Sequence, residues 1–549
     1  MLHSAIRPLS RMAITVGLSG LAIVAFTIGN LAWLGWVLCT ISYLYLWRSR
    51  NPALFAAQTL GLTFLIAATL LGASTTGQLG LPLAIAGLLL ALLVSSHDQL
   101  LKPFQTNHLP TAHLDLPVYR SRVSRNLPAY VYAALLAGLI ATPAASVSAW
   151  PVAGAVVIGS GGLTALLAIE WKRRRRKANH SDQAVRAALE EYAPQFAIYF
   201  TAPAGSEYQL AMWLPHFEKL DDRYVVILRE SESLATLAPL TSAPIVVAPR
   251  IVDLEHSLVD SLKAVFYVNN GMMNSHCVRF SHLNHVQLLH GDSDKPSSYS
   301  PVTAMYSEIF VAGQAGIDRY AQHGVNIPHE KFRIVGRPQV TDINVERANI
   351  TDRDQPTVLY APTWTGNSND VNYCSLPYGK AIVQALIDRG AIVHLRPHPF
   401  SRSNLASAHH LSQIEDLLAS DARRNGTNHR WGSDFSDQSL VDSFNAADAL
   451  ICDVSAVAPD WLYSEKPFAV TDMHDSGEQF ITDFPLGRAA YVLNPSDESH
   501  LVDQLKLMLT EDPQASLRSE IKTHYLGDFP SESYQSAFLD AARAAYTKD

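Results

Sequence analysis

Apolar and polar positions divide this chain into two regimes that meet near residue 171. Ahead of that point apolar residues run on almost without interruption, over roughly 12–29, 31–47, 53–73, 80–96, 127–146 and 150–171. Each run approaches the ~20 residues that an α-helix needs to cross the hydrocarbon of a bilayer, so the pattern predicts six spanning helices. A cleaved signal peptide would account for the first run and for none of the others. Beyond residue 171 the period changes. Short apolar runs, FAIYF (196–200), YVVILR (224–229), PIVVA (244–248), AVFYV (264–268), HVQLL (285–289) and EIFVA (308–312), alternate with helical patterns such as SEYQLAMWLPHFEKL and GQAGIDRYAQHG. Strands that are apolar on both faces and separated by helices predict a parallel sheet covered on both sides.

A second set follows the polar stretch GRPQVTDINVERANITDRDQP, which reads as an interdomain linker. It includes TVLYAP (357–362), AIVHLRPHP (391–399) and ALICD (449–453), with PYGKAIVQALIDRG and SFNAADA between them and two closing helices, ESHLVDQLKLMLTED and SESYQSAFLDAARAAY. The expected organisation is a helical membrane domain over 1–177, then two α/β, Rossmann-like domains over 178–345 and 346–549 with a cleft between them. SDQAVRAALEEYA reads as a charged amphipathic connector into the first of these.

Charge orients this arrangement. Arg7, Arg11, Arg48, Arg50, Lys102, Arg120, Arg122, Arg125 and KRRRRK (172–177) fall on one set of alternate connections, whereas those near 30, 74–79 and 147–149 carry no Lys or Arg. Basic residues are retained on the cytoplasmic side, so the α/β region is expected there, in a multi-pass protein of the plasma (inner) membrane. KRRRRK acts as a stop-transfer anchor, or additionally holds anionic headgroups of membrane lipids. The net charge of −8 argues against a nucleic-acid partner. Cys39, Cys277, Cys374 and Cys452 show no paired metal spacing and suit a reducing compartment. The sequence has neither a Walker loop nor G-x-G-x-x-G after a first strand, which disfavours kinase, ATPase and dinucleotide-dependent chemistry; no cofactor is expected.

Candidate chemistry collects where apolar strands give out, in LLHGDSDK, LYAPTWTG, HLRPHP and ICDVSAVAPDW. Arg396 and His398 leave a strand together, framed by Pro397 and Pro399. Arg offers phosphate a planar fork and His adds a donor; the alternative is an ordinary loop with an Arg–carboxylate pair and a surface His. Asp453 and Ser455 precede a helical segment that contains Asp460. There Ser455 serves as an N-cap, as a phosphate ligand at a helix start, or as both. His290, at a strand end beside Asp292, Asp294 and Lys295, has the character of a proton acceptor, or else orders its own loop. A metal cluster of His282, His285 and His290 is disfavoured, because residues 285 and 290 point to opposite sides of a regular strand. The DSD triplet matches an Asp-x-Asp metal motif only superficially, since Lys295, Arg396, His398 and a helix start already supply positive potential and no metal is required. Asp292 and Asp294, with Thr363, then support their loops or touch an acceptor hydroxyl, and an aspartate could also hold His290 in one tautomer.

As an ordered set, HG…K, VGRPQVTD, VLYAPTW, RPHP and CDVSAVAPDWLYSEKP resemble the CDP-glycerol:poly(glycerophosphate) glycerophosphotransferases, the teichoic-acid primases and polymerases, over about residues 190–520. The resemblance implies a GT-B-type pair of domains at the inner membrane face, the first on the acceptor side and the second on the nucleotide side. It implies transfer of glycerol phosphate from CDP-glycerol, or of a related unit from another CDP-polyol, to a hydroxyl of a lipid-linked saccharide or polymer, with release of CMP. The family's His-Gly histidine falls on His290, its Arg-x-His-Pro phosphate site on Arg396 and His398, and its Asp-Tyr-Ser-Ser motif with a downstream aspartate on Asp453, Ser455 and Asp460. Two departures stand out: after His290-Gly291 the chain continues Asp292-Ser293-Asp294-Lys295 where the family has Thr-Pro-Leu-Lys, and Ala456 replaces the second serine. The competing readings are a GT-B glycosyltransferase that uses a nucleotide sugar and a polyprenyl-linked acceptor, and a membrane scaffold that binds nucleotide without turnover.

Overall fold

The structure, a computed structural model, describes residues 2–47, 59–97, 109–116, 123–124, 126–345, 349–366, 372–435, 438–530 and 533–547. Arg48, Arg50, Lys102, Arg120, Arg122 and Arg125, on which the orientation argument partly rests, lie outside the described residues. The chain separates into two compact units, Met1–Leu109 with Leu116–Ala184, and Pro110–Asp115 with Val185–Asp549.

In the first unit the apolar runs form the helices Leu2–Thr27, Ala32–Trp47, Thr59–Thr75, Leu81–Ser95 and Leu127–Ala144, and Trp150–Tyr192 begins there and continues past the unit's last residue, Ala184. Leu127–Ala144 and Trp150–Arg173, with mean hydropathy of 1.5 and 2.1, are long and apolar enough to cross a membrane; Ala13–Thr27, Ala32–Trp47, Thr59–Thr75 and Leu81–Ser95 are apolar but shorter. Two of the six expected spans therefore reach spanning length among the described residues. The last helix continues unbroken through KRRRRK and SDQAVRAALEEY, where the sequence pattern suggested a span followed by a separate connector. Residues 172–192 hold no Gly or Pro and are rich in Arg, Ala, Glu and Lys, so nothing in them ends a helix.

The second unit contains two sheets. The first is built from β1 (Thr111–Ala112), β2 (Phe196–Phe200), β3 (Tyr224–Leu228), β4 (Ile245–Val247), β5 (Ala264–Tyr267), β6 (Asn284–Gln287), β7 (Glu308–Val311) and β8 (Phe332–Ile334), in the order β1-β4-β3-β2-β5-β6-β7-β8. Every pairing is parallel except that of β1, which runs antiparallel along β4. The second comprises β9 (Thr357–Ala361), β10 (Ile392–Leu395), β11 (Arg430–Trp431), β12 (Ala449–Cys452), β13 (Phe468–Thr471) and β14 (Tyr491–Leu493), all parallel, in the order β11-β10-β9-β12-β13-β14. Counted from β9 this is 3-2-1-4-5-6, the Rossmann order, whose connections reverse direction between β9 and β12 and leave a crevice beyond their carboxyl ends. The expected strands fall where the continuous apolar runs placed them, because each central strand is buried on both faces; β2, β3, β5 and β12 are buried at every position.

The two α/β halves share their cores. Ala312 and Ala315, just beyond β7, pack in one cluster with Ile521 and Tyr525 of the helix Ala515–Leu526 and with Leu359 and Leu450 of the second sheet. The final helix, Tyr534–Thr547, returns to the first sheet, where Phe538 lies 5.2 Å from Trp213 and 5.8 Å from Phe217 between ring centroids, and Tyr546 stacks on Phe196 at 4.8 Å. Since Phe538 is fully buried, Phe538→Ala should cost about 3–5 kcal/mol and lower the thermal midpoint. Hydrogen exchange should accelerate in β2 and the helix Leu214–Glu218; an effect confined to the second sheet would contradict this packing.

Candidate active site

The loop that carries His290 is shaped by its own polar groups. β6 ends at Gln287, whose Oε1 accepts from the backbone N–H groups of Leu288 (3.0 Å) and Leu289 (3.1 Å). Leu289 then turns the chain at φ +56, and its carbonyl accepts from Trp213 Nε1 at 2.8 Å. After His290 a side chain has no room: a Cβ on Gly291 would meet the Ala456 Cβ at 2.6 Å, so this glycine lets the loop from the first sheet touch the loop after β12. Asp292 and Asp294 reach a single buried cation, Arg319 of the helix Gln314–Gln322. Nη1 donates to Asp292 at 2.5 Å, Nε and Nη2 donate to Asp294 at 3.0 and 2.9 Å, and the Tyr525 hydroxyl donates to the other Asp294 oxygen at 2.8 Å. The pair thus supports its loop through a guanidinium, and neither aspartate orients His290, whose Nδ1 is enclosed without a hydrogen-bond partner. His285, from the same strand, is occupied by Tyr267 and the Phe280 carbonyl. Among the described residues no group of three or more His, Cys, Asp or Glu side chains is placed to hold a metal ion.

On the second sheet the polar residues gather at the crevice between β9 and β12. Asp453, fully buried, accepts from the backbone N–H groups of Thr363 (2.7 Å) and Ser375 (3.2 Å) and from the Thr471 hydroxyl (2.7 Å). It therefore binds together the loops beyond β9, β12 and β13, and burial raises its pKa. Lys295 arrives from the His290 loop: its ammonium lies 3.4 Å from Thr363 Oγ1 and 5.5 Å above the Tyr373 ring. Ser455 does not cap the helix that follows. That helix is short, Val457–Leu462, its N-cap position is Ala456, and the Ser455 hydroxyl is buried without a partner. Beyond β10, His398 Nδ1 accepts from the Phe400 N–H at 3.2 Å, and its ring lies against Trp364. Arg396 follows a different course from its neighbour. Its Nη1 and Nη2 donate to the carbonyls of Ser439 (3.0 Å) and Gln438 (2.8 Å) and to the Ser443 hydroxyl (2.5 Å), so much of the planar fork is engaged within the second half. With His398 and Phe435 it lines a pocket of about 200 Å³.

Tyr208 joins the two sets. SEYQLAMWLPHFEKL, which reads as one helix, is interrupted at Met212–Trp213 just ahead of Pro215, giving Tyr208–Ala211 and Leu214–Glu218. Tyr208 presents its ring edge-on to both His290 and His398, each with its centroid 6.1 Å away. Burial, then Arg337, then His398 push the His290 imidazole down to about 4, and burial followed by Lys295 does the same to His398. Burial also holds the Lys295 ammonium below its usual value, with Asp453 opposing. The last member, Arg337, lies in VGRPQVTD, a motif whose arginine carries no sequence-level assignment. Its Nε and Nη2 pair with Asp460, Nη2 to Oδ2 at 3.0 Å, and Nη2 reaches the His290 carbonyl at 3.3 Å. Asp460 is thereby paired across to the first half. His290 and His398 thus flank Tyr208, Lys295 acts on His398 and reaches Thr363, and Ser455 lines a separate pocket with Asp294, while Asp292, Asp294, Asp453 and Asp460 are already engaged.

No curated protein sequence gives a significant match. Among solved structures, the chain is similar to a glycosyltransferase from Rickettsia africae (10% identity, TM-score 0.41, covering 64% of this chain and 97% of that one). It is also similar to the wall teichoic acid polymerase TagF (13%, 0.42, 68% and 95%) and to S. aureus MnaA solved with UDP (12%, 0.43, 64% and 96%). A family model described as CDP-Glycerol:Poly(glycerophosphate) glycerophosphotransferase matches residues 171–521, well over half of the sequence. The chain therefore belongs to the CDP-glycerol:poly(glycerophosphate) glycerophosphotransferase family and is a transferase of that kind.

Proposed function

We propose that this protein is a membrane-integrated GT-B-type enzyme that moves a polyol phosphate, glycerol phosphate from CDP-glycerol in the simplest case, to a hydroxyl of a lipid-linked acceptor in the assembly of a teichoic-acid-like envelope polymer. The observation that carries this reading is the pairing of His290 from the first sheet with Lys295 and His398 at the crevice of the second. Its neighbouring carboxylates are bound by Arg319, Arg337 and backbone N–H groups. Such a site favours an anion, and a diphosphate placed there meets Lys295 and His398. The acceptor hydroxyl attacks the phosphorus that bears glycerol, the bond from that phosphorus to the bridging oxygen breaks, and CMP departs. The hydroxyl proton passes to His290 at Nε2, since Nδ1 is enclosed. Lys295 offsets charge on the leaving phosphate, and the neutral His398, whose Nδ1 already accepts from Phe400, donates to it through Nε2.

The reading of the first unit as a membrane domain rests on its apolar helices, which turn large residues such as Trp33, Leu88, Leu92 and Ile158 outward. β1 adds a constraint independent of charge. It lies in the connection between the helices Leu81–Ser95 and Leu127–Ala144 and pairs with β4 of the α/β unit, which supports that reading.

The first test is the identity of the released nucleotide. Full-length protein given CDP-glycerol, CDP-ribitol or nucleotide sugars with native lipid extract should release CMP and form a phosphodiester. A nucleoside diphosphate and a glycoside would identify a glycosyltransferase, and binding without turnover a scaffold.

His290→Ala should lower transfer by about 10²–10⁴-fold. Because the His290 pKa is depressed, the imidazole is neutral and able to accept a proton down to about pH 4. The acid limb of kcat/KM should therefore lie well below 6.5. Unfolded histidines titrate near ~6.5, so the buried neutral ones also make the fold less stable as pH falls from there toward 4. Rates must accordingly be taken from protein shown to be folded at each pH. An acid limb at or above 6.5 would contradict the depressed pKa that burial gives His290.

For topology, Asp115→Cys should be protected from an impermeant maleimide in intact cells and labelled after permeabilisation. Ser146→Cys, in the turn between the last two apolar helices, should be labelled from outside. The reverse pattern would invert the orientation.

A further inference from the structure

Arg337 is used by none of the chemistry above, and its surroundings are unusually determined. Its side chain is almost fully buried. Its backbone N–H donates to the Tyr534 hydroxyl at 3.1 Å, which in turn donates to the Leu526 carbonyl at 2.6 Å. Gly336 before it has φ +69 and brings the backbone so close to the Tyr534 ring that a Cβ would stand 3.1 Å away. From this fixed base one guanidinium serves two elements. It takes the Asp460 carboxylate through two nitrogens, and it donates to the carbonyl of His290 itself. Asp460 sits on the helix that follows Ser455 and Ala456, and the Ala456 methyl packs where Gly291 lacks a side chain.

We propose that Arg337 is a positioning residue for the transfer reaction, whose guanidinium couples the His290 loop of the first half to the Asp460 helix of the second and so sets the base against the diphosphate site. This rests on the reading of His290 as the base. Only a planar fork can span a carboxylate and a carbonyl from one rigid group; an ammonium on a flexible stem keeps the charge and loses the geometry. The same charge acts on the imidazole. The groups facing His290 are Arg337, His398 and Tyr208, with Asp292 and Asp460 behind them and already paired. Removing Arg337 takes away a positive neighbour and leaves Asp460 unpaired, and both changes raise the affinity of His290 for a proton.

The test reads the two effects separately on full-length protein in detergent. Deuterium exchange at the histidine C2 position, followed by mass spectrometry of the peptide that contains His290, gives the imidazole titration midpoint without turnover. Arg337→Met should raise that midpoint by a unit or more. Arg337→Lys should leave it near the wild-type value while kcat falls at least tenfold, by more than KM for CDP-glycerol rises. Should Arg337→Met fail to fold, the double variant Arg337→Met/Asp460→Leu removes both charges and should combine a raised midpoint with low kcat. Wild-type kcat in Arg337→Lys or in the double variant, or an unchanged midpoint in the methionine variants, would overturn the proposal and leave Arg337 as an ordinary ion pair. A shifted midpoint in Arg337→Met together with full activity in His290→Ala would reject the base assignment and support the coupling. No shift with an inactive His290→Ala would reject the coupling alone.

Discussion

Two buried guanidinium groups, Arg319 and Arg337, hold the loop that carries His290, and the rest of the site is placed relative to that loop. Removing one partner of such a buried pair typically costs about 3–5 kcal/mol, because the other charge is stranded out of water. That penalty makes the loop stiff where it would otherwise be a mobile strand-to-helix connection. Arg319 fixes its far end through Asp292 and Asp294, Trp213 fixes its near end at the Leu289 carbonyl, and Arg337 holds the His290 carbonyl between them. With the backbone pinned at three points, the imidazole can be presented with no partner on Nδ1, a state a freely moving loop would relieve by rotation.

The Arg319 pairs also hold the segment where this chain departs from the family pattern. Where the resemblance has Thr-Pro-Leu between His-Gly and Lys, this chain has Asp292-Ser293-Asp294, whose carboxylates are held by the buried Arg319. Ala456, in place of a second serine, supplies the methyl that fills the space above Gly291. Lys295 meanwhile reaches Thr363.

Much of this architecture is legible in the sequence. Runs such as FAIYF and ALIC are apolar at every position because both faces of a central parallel strand are covered, and the ends of β6, β10 and β12 mark where His290, His398 and Asp453 emerge. Less legible is what depends on long-range packing. Arg319 looks like a solvent-facing residue of an amphipathic helix, and only the tertiary fold buries it between two aspartates 25 and 27 positions away. Arg337 reads as part of a polar linker, although its motif was visible. Arg396 has the local signature of a phosphate fork, yet much of it is engaged by carbonyls at Gln438 and Ser439 that no local pattern points to. Ser455 looks like a cap and is not one, because the helix begins one residue later with its own geometry. The two-residue strand β1, in a connection between apolar helices, is too short to carry any periodicity.

The central claim is that donor and base meet at the crevice between β9 and β12, with the His290 loop arriving from the first sheet. An experimental structure of the full-length protein with a non-transferable CDP-glycerol analogue addresses it most directly. The account predicts a diphosphate within hydrogen-bond distance of Lys295 and His398, its glycerol-bearing phosphorus facing His290, and Arg319 still clamped between Asp292 and Asp294. A nucleotide bound instead at the crevice between β2 and β5, or a diphosphate carried by a divalent cation that has displaced Arg319 from those aspartates, would contradict it.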